Sequence, residues 1–362
     1  MKSILLSEKF LLLACAIAVA GYLVDARLAE VGRLAGLAET GVFIAAILAA
    51  SLSVARHAER IARKVGDPYG SMILTLSAVV VEVIVLAIVS SKAGSPTLVR
   101  DSIYSAVMLD INGILGVAAL IGGFKHGEQS YNDDSARTYS VMILTAVAVS
   151  MVIPELVPDA NWRAYSSFTI VAMLLLYGVF LRMQTGPHSY FFSYSYPDKK
   201  IRPPSPDSAY PNRRQSVVVM AVGIAAVGAL AELMSHSLNR GLAGMDIPMG
   251  LVALVVAGIS AAPEMLTALR AALANRMQSV VNIALGASLS TVILTVPAME
   301  AMALFTGQRI DIALTPLQTL MMLVTLLVAA INLNDGQTNA IEGMTHFVLF
   351  GAFLMLLGLG LS

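Results

Sequence analysis

The chain is divided into apolar stretches of the length a helix needs to cross the hydrocarbon core of a bilayer, about 20 residues. Reading between charged or Pro/Gly-rich breaks gives eleven of them, at 8–26, 40–64, 69–92, 97–123, 138–155, 164–184, 215–238, 247–274, 277–304, 312–333 and 339–361. Hydrophobic residues make up 57% of the chain and charged residues 13%, outside the range of a soluble globular domain. The sequence therefore predicts an all-α polytopic membrane protein whose first partner is the lipid bilayer. Its 23 Lys and Arg balance 23 Asp and Glu, so no net field draws a nucleic acid. No GxxxxGK[ST], HExxH or GxSxG motif occurs, which excludes ATP-driven pumping and common hydrolase chemistry. The expectation is not an enzyme and no resident cofactor. The single cysteine, Cys15, allows no disulfide within the chain. Lys2 and Lys9 before FLLLACAIAVAGYLV look like a secretory signal, but a first transmembrane helix explains the same residues.

Sixteen of the 23 Lys and Arg residues fall in one alternate set of loops, which includes the N-terminus. The positive-inside rule then places the N-terminus in the cytoplasm and the C-terminus outside. Residues 185–214 carry six prolines and no helical apolar period, and read as a cytoplasmic linker. The chain divides into an N-terminal helix and loop (1–39), a five-helix block (40–184), the linker (185–214) and a second five-helix block (215–362). Two successive five-helix blocks enter a membrane in opposite directions, as inverted repeats do. RDSIYSAVMLDINGILG from Arg100 can be laid on RMQSVVNIALGASLSTV from Arg276, pairing Asn112 with Ser288.

A carboxylate in mid-helix costs ~3 kcal/mol on insertion scales, so one that persists there is a functional candidate. Glu82 in the third span and Glu264 in the eighth are two such residues, at matching places of the two blocks. Single residues of this kind also serve as protonated helix glue; two in register favour a cation and proton site. Pro263 removes the amide that would pair with the Ile259 carbonyl, predicting a kink or break beside Glu264 and a free backbone ligand. Gly258, Ser260, Ala261 and Ala262 leave room for close approach. Asp110, Asn112, Asn282 and Ser288 add polar atoms at similar depth, as an auxiliary ion or proton site or as interhelical bonds. His57 and Glu59 are expected to form a solvated face or line an entrance. Glu232, His236, Glu300, Glu342 and His346 lie near predicted helix ends, where most should reach water.

Oxygen-only donors suit Ca²⁺, Mg²⁺, Na⁺ or Mn²⁺, and Ca²⁺ tolerates the irregular shell that two carboxylates, carbonyls, amides and water can build. A desolvated carboxylate without a cation takes up a proton, so cation and protons compete for the same oxygens. If the empty charged site cannot cross between inward-open and outward-open states, exchange results. Two carboxylates then trade one Ca²⁺ for about two protons.

GDPYGSMILTLSAVVVEV (66–83), SPTLVRDSIYSAVM (95–108) and PEMLTALRAALANRMQSVVNIALGASLSTVILTVP (263–297) resemble the bacterial Ca²⁺/H⁺ antiporters of the cation/Ca²⁺ exchanger superfamily, a branch also linked to Na⁺/H⁺ and K⁺/H⁺ exchange. The resemblance implies two α-repeats, around spans three and four and spans eight and nine, each with an essential acidic residue; these match Glu82 and Glu264. It also implies a bacterial inner-membrane location and transported Ca²⁺ and H⁺, with Na⁺(K⁺)/H⁺ exchange as the alternative and a passive channel a more distant one. Homo-oligomerisation stays open. This chain departs from the pattern in lacking a Gly-Asn before either glutamate, and Met265 stands where many Ca²⁺/H⁺ exchangers have His.

Overall fold

The computed structural model describes residues 8–28, 32–65, 69–93, 95–186, 188–194, 213–245 and 247–361. They form eleven main helices: α1 (Lys9–Leu28), α2 (Arg33–Val65), α3 (Tyr69–Ala93), α4 (Leu98–His126), α5 (Asp133–Leu156), α6 (Trp162–Thr185), α7 (Arg213–Leu242), α8 (Met249–Leu273), α9 (Met277–Thr306), α10 (Pro316–Asn332) and α11 (Ala340–Gly358). Among the described residues nine are long and apolar enough to cross a membrane, and α1 and α10 add shorter apolar helices. Each matches one predicted span, because in hydrocarbon every backbone donor must be satisfied inside its own segment.

Polar caps set several helix starts. Asn132 accepts from the Asp134 amide before α5, and Asn339 accepts from the Ile341 and Glu342 amides before α11. Thr315 and Gln318 form a reciprocal capping box on α10, with Pro316 in the first turn where its missing N–H costs nothing. Gly307, at φ 70°, closes α9 in the left-handed region that a side chain disfavours.

Three helices carry a wider π-turn: Leu109–Leu115 in α4, Ala148–Val152 in α5 and Thr291–Thr295 in α9. Such turns leave backbone groups less regularly paired and re-aim side chains, and they concentrate at functional sites.

Helix α2 packs along α7, and α1 lies against both. A Cβ on Gly36 would come within 2.9 Å of the Gly241 nitrogen, so the two backbones touch. Helix α11 packs on the second half of α4, and α6 on the second half of α9. A two-residue antiparallel pairing, Gln129–Ser130 with Gln337–Thr338, joins the turns before α5 and α11. Near the start of α4, Asp101 Oδ1 accepts from Arg100 Nε (2.9 Å) and from Gln318 Nε2 (2.8 Å), and the Arg100 guanidinium reaches Asp311 and the Ala313 carbonyl.

Two expectations are corrected. Helix α8 runs unbroken through Pro263, since neighbouring helices α3, α4 and α9 hold it in place. The stretch read as a linker without helical period begins with order: Ser189–Phe192 form a 3₁₀ turn tied back by Asn132 Nδ2 to the Tyr190 carbonyl (3.0 Å) and by Asn282 Nδ2 to the Phe192 carbonyl (2.9 Å). Residues 195–212 of that linker lie outside the described residues.

Candidate functional site

Helices α3 and α8 each turn one face toward a common cavity of about 600 Å³. From α3 come Thr75, Ala78, Val79 and Glu82, and from α8 come Ala257, Ser260, Ala261 and Glu264, both in the i, i+3, i+4, i+7 spacing of one helix face. The side chains before each glutamate are small or short, which leaves the space that the cavity occupies. Asp110, from the π-turn of α4, reaches the same cavity. Three carboxyl groups from three helices therefore share one chamber, and no Lys, Arg or His lines it among the described residues.

Neutral groups hold these acids. The Thr291 hydroxyl lies 3.1 Å from both Glu82 oxygens, and Thr295 Oγ1 donates to Glu82 Oε2, also at 3.1 Å. Ser288 Oγ donates to Asp110 Oδ2 at 3.2 Å. Asp110 Oδ1 and Glu264 Oε2 are buried without a hydrogen-bond partner among the described residues. An unpaired buried carboxylate oxygen is costly, so these atoms are positioned for a cation, a proton or water. Among the described residues no three His, Cys, Asp or Glu side chains stand close enough to grip one metal ion together.

The chamber extends from the carboxylates to the segment after α6, where Gln184, Ser189, Phe192 and Ser193 line its mouth. Phe192 packs edge-on against Tyr139 (5.5 Å between centroids) and Phe180 (5.6 Å), forming an aromatic rim.

Of the residues singled out from sequence, Glu82, Glu264 and Asp110 are brought together, and Ser288 bonds the third. Asn282 lines the mouth, where its amide accepts from Gln278 and donates to the Phe192 carbonyl. Asn112 points away: it donates to Thr325 Oγ1 (2.8 Å) and pairs with His346 Nδ1 (2.9 Å), since residues two apart lie on opposite faces of a helix. Ile259 is buried and does not line the cavity. His57 is no entrance group; it is buried against Glu8 Oε1 (Nε2 at 3.0 Å), and Glu59 is exposed on the neighbouring face. Glu300 and His346, expected to reach water, are 4% and 2% exposed. Thr291 and Thr295 were not picked out from sequence, although hydroxyls at i and i+4 in STVILT, one helix turn after Ser288, were a usable signal.

The sodium/calcium exchanger protein family model matches residues 35–186 and 215–359. The sodium-potassium/proton antiporter ChaA of Escherichia coli (strain K12) is 33% identical over 85% of this chain and 86% of its own length. The Ca²⁺/H⁺ antiporter ChaA of Bacillus subtilis (strain 168) is 24% identical over 84% of this chain and 87% of its own. The structure of native YfkE superposes with a TM-score of 0.77 at 19% identity, covering 97% of this chain and 99% of that one.

Proposed function

The chain belongs to the sodium/calcium exchanger protein family and is a cation/proton antiporter, and from that premise we propose that it expels Ca²⁺ from the cytoplasm in exchange for entering H⁺. The observation that carries the proposal is the chamber holding Glu82, Glu264 and Asp110 with no basic side chain. Three acids with no basic side chain beside them among the described residues call for a multivalent cation or for protons, and the two compete for the same oxygens.

In this reading the five-helix blocks at 40–184 and 215–362 work as two halves, and Glu82 and Glu264 contribute one carboxylate each. With the N-terminus in the cytoplasm, the chamber mouth at Gln184 and Ser193 faces inward. Ca²⁺ enters from that side and displaces protons from both glutamates. The Thr291 and Thr295 hydroxyls hold Glu82 in its ionised form while the cation is bound. After the outer side opens, Ca²⁺ leaves and protons return to the carboxylates. Asp110 takes up a third proton, so each Ca²⁺ exported is matched by three H⁺ and one net positive charge moves inward.

A second reading, Na⁺(K⁺)/H⁺ exchange through the same residues, is favoured by one observation: the 33% identical relative is named a sodium-potassium/proton antiporter. The two readings separate in everted membrane vesicles carrying a preformed proton gradient. Ca²⁺ should collapse the gradient, and Glu82→Gln or Glu264→Gln should abolish that response at unchanged protein level. A response to Na⁺ or K⁺ alone moves the substrate to the second reading, and normal exchange by both variants removes the glutamates from the mechanism.

A further inference from the structure

Beyond the chamber, one more carboxyl group is buried in the span of α9 without a counter-charge. Glu300 is 4% exposed, and its Oε2 has no hydrogen-bond partner among the described residues. It lies five residues beyond Thr295, the hydroxyl that holds Glu82, which is about 7.5 Å of helix rise. It also lies in the half of α9 away from Asn282 and the chamber mouth, six residues before the helix ends at Thr306.

The elements packed on this part of α9 are α6, the π-turn and α3. From α6 the neighbours are Tyr165 and the neutral hydroxyl of Ser166. Tyr165 Oη is already committed, donating to the Val149 carbonyl at 2.7 Å. The basic groups nearby are used elsewhere: Arg163 stacks on Trp162, Lys92 pairs with Glu232, and Arg309 pairs with Asp159. From α3 the titratable group is Glu82 itself, turned toward Thr291 and Thr295. The π-turn contributes no titratable side chain. An acid buried in a membrane span with no cation paired to it among the described residues has no structural ion pair to explain it.

We propose that Glu300 is a proton-loading site on the side of Glu82 opposite the chamber mouth, feeding the proton half of the exchange cycle. A proton from the outer aqueous phase binds a carboxylate oxygen of Glu300, forming the neutral acid. When the cation has left the chamber, the proton passes on to the Glu82 carboxylate and Glu300 returns to its starting state. Glu300 thus relays protons without adding to the number exchanged. The inference rests on the cation/proton reading of the chamber.

The test uses full-length protein in proteoliposomes, with the pH on each face set independently and Ca²⁺ supplied at the chamber face. Glu300→Gln keeps the size and hydrogen-bonding capacity of the side chain but cannot carry a proton. It should leave half-saturating Ca²⁺ within about twofold of wild type, cut turnover about tenfold or more, and remove the dependence on pH at the opposite face. Glu300→Asp should recover part of both. If Glu300→Gln superimposes on wild type in turnover and in both pH dependences, the carboxyl is a packing group and the inference is wrong. Equal damage by Gln and Asp, with half-saturation disturbed as much as turnover, also overturns it. Should the Gln variant fail to fold, dicyclohexylcarbodiimide labelling of the wild-type protein decides: Glu300 should be modified at acidic and spared at alkaline outer pH, and labelling indifferent to outer pH overturns the proposal. Exchange that persists in Glu82→Gln sinks the underlying reading instead.

Discussion

Replacing Thr295 by Val removes one hydroxyl and keeps the branched shape of the side chain. Its hydroxyl makes one of three contacts to the Glu82 carboxylate, each at 3.1 Å, and the other two come from Thr291. Hydrogen bonds to charged groups contribute about 1.5–3 kcal/mol, and a 3.1 Å contact belongs at the lower end, near ~1.5 kcal/mol. That energy supports only the ionised form, so its loss favours the protonated carboxyl by about tenfold. Calcium must then displace a proton held about ten times more firmly, and half-saturating Ca²⁺ should rise by about the same factor at fixed pH. Because each Ca²⁺ displaces about two to three protons in the proposed cycle, half-saturation changes about 100- to 1,000-fold per pH unit while the empty site is protonated. Raising the pH at the chamber face by about a third to half a unit should therefore restore wild-type half-saturation. The assay is Ca²⁺-dependent collapse of a proton gradient in everted vesicles, repeated across several pH values. Half-saturation equal to wild type at every pH would refute the reasoning. A loss that alkaline pH does not recover would show that Thr295 acts on the cation rather than through Glu82.

Three further outcomes follow from the same structure. Asp110→Asn should still exchange Ca²⁺ for H⁺ but lose sensitivity to membrane potential in proteoliposomes, because it removes the one net charge moved per cycle, worth ~2.3 kcal/mol per 100 mV in the wild type. Gly343→Ala should lower the thermal unfolding midpoint of purified protein by the equivalent of about 1–3 kcal/mol, since its Cβ would meet the Leu120 nitrogen and come within 2.8 Å of the Ala119 carbon and the Gly116 oxygen. At the start of α1, burial pushes the Glu8 carboxyl up, but bonds to Ser53 and His57 and the Arg56 charge outweigh this and hold it below the usual carboxylate range. A carboxyl held low stabilises the fold above its unfolded-state range and loses that contribution as pH falls through its own lowered range. Glu8→Gln should therefore flatten the acid limb of the stability-against-pH curve, as followed by fluorescence-detected unfolding.

The helix pattern was legible because twenty-residue apolar runs have no other stable use in a bilayer, and all eleven predicted spans coincide with helices. Glu82 and Glu264 could be found as misfits against their apolar surroundings. The π-turns could not, since they arise from how α4, α5 and α9 pack and not from local propensity. That hid the presentation of Asp110 to the chamber, while Asn112, two residues on and so on the opposite helix face, turns to His346. It also hid the approach of Thr291 and Thr295 to Glu82. Pro263 was expected to kink or break α8, and the break does not occur, because local reasoning weighs the lost hydrogen bond and not the neighbours that hold the helix on each side. Distance from a helix end was likewise a poor guide to burial for Glu300 and His346, which face other helices.

In the proposed exchange, Ca²⁺ and protons contend for the carboxylates of Glu82 and Glu264. The most direct measurement is proton release on Ca²⁺ binding to purified protein, by calorimetry in buffers of different ionisation enthalpy, at a pH where the empty site is protonated. At least about two protons should be released per Ca²⁺ bound, Ca²⁺ binding should weaken as pH falls, and Glu82→Gln and Glu264→Gln should release fewer protons or not bind. Calcium binding that releases no protons and keeps its affinity across pH would contradict the proposed exchange.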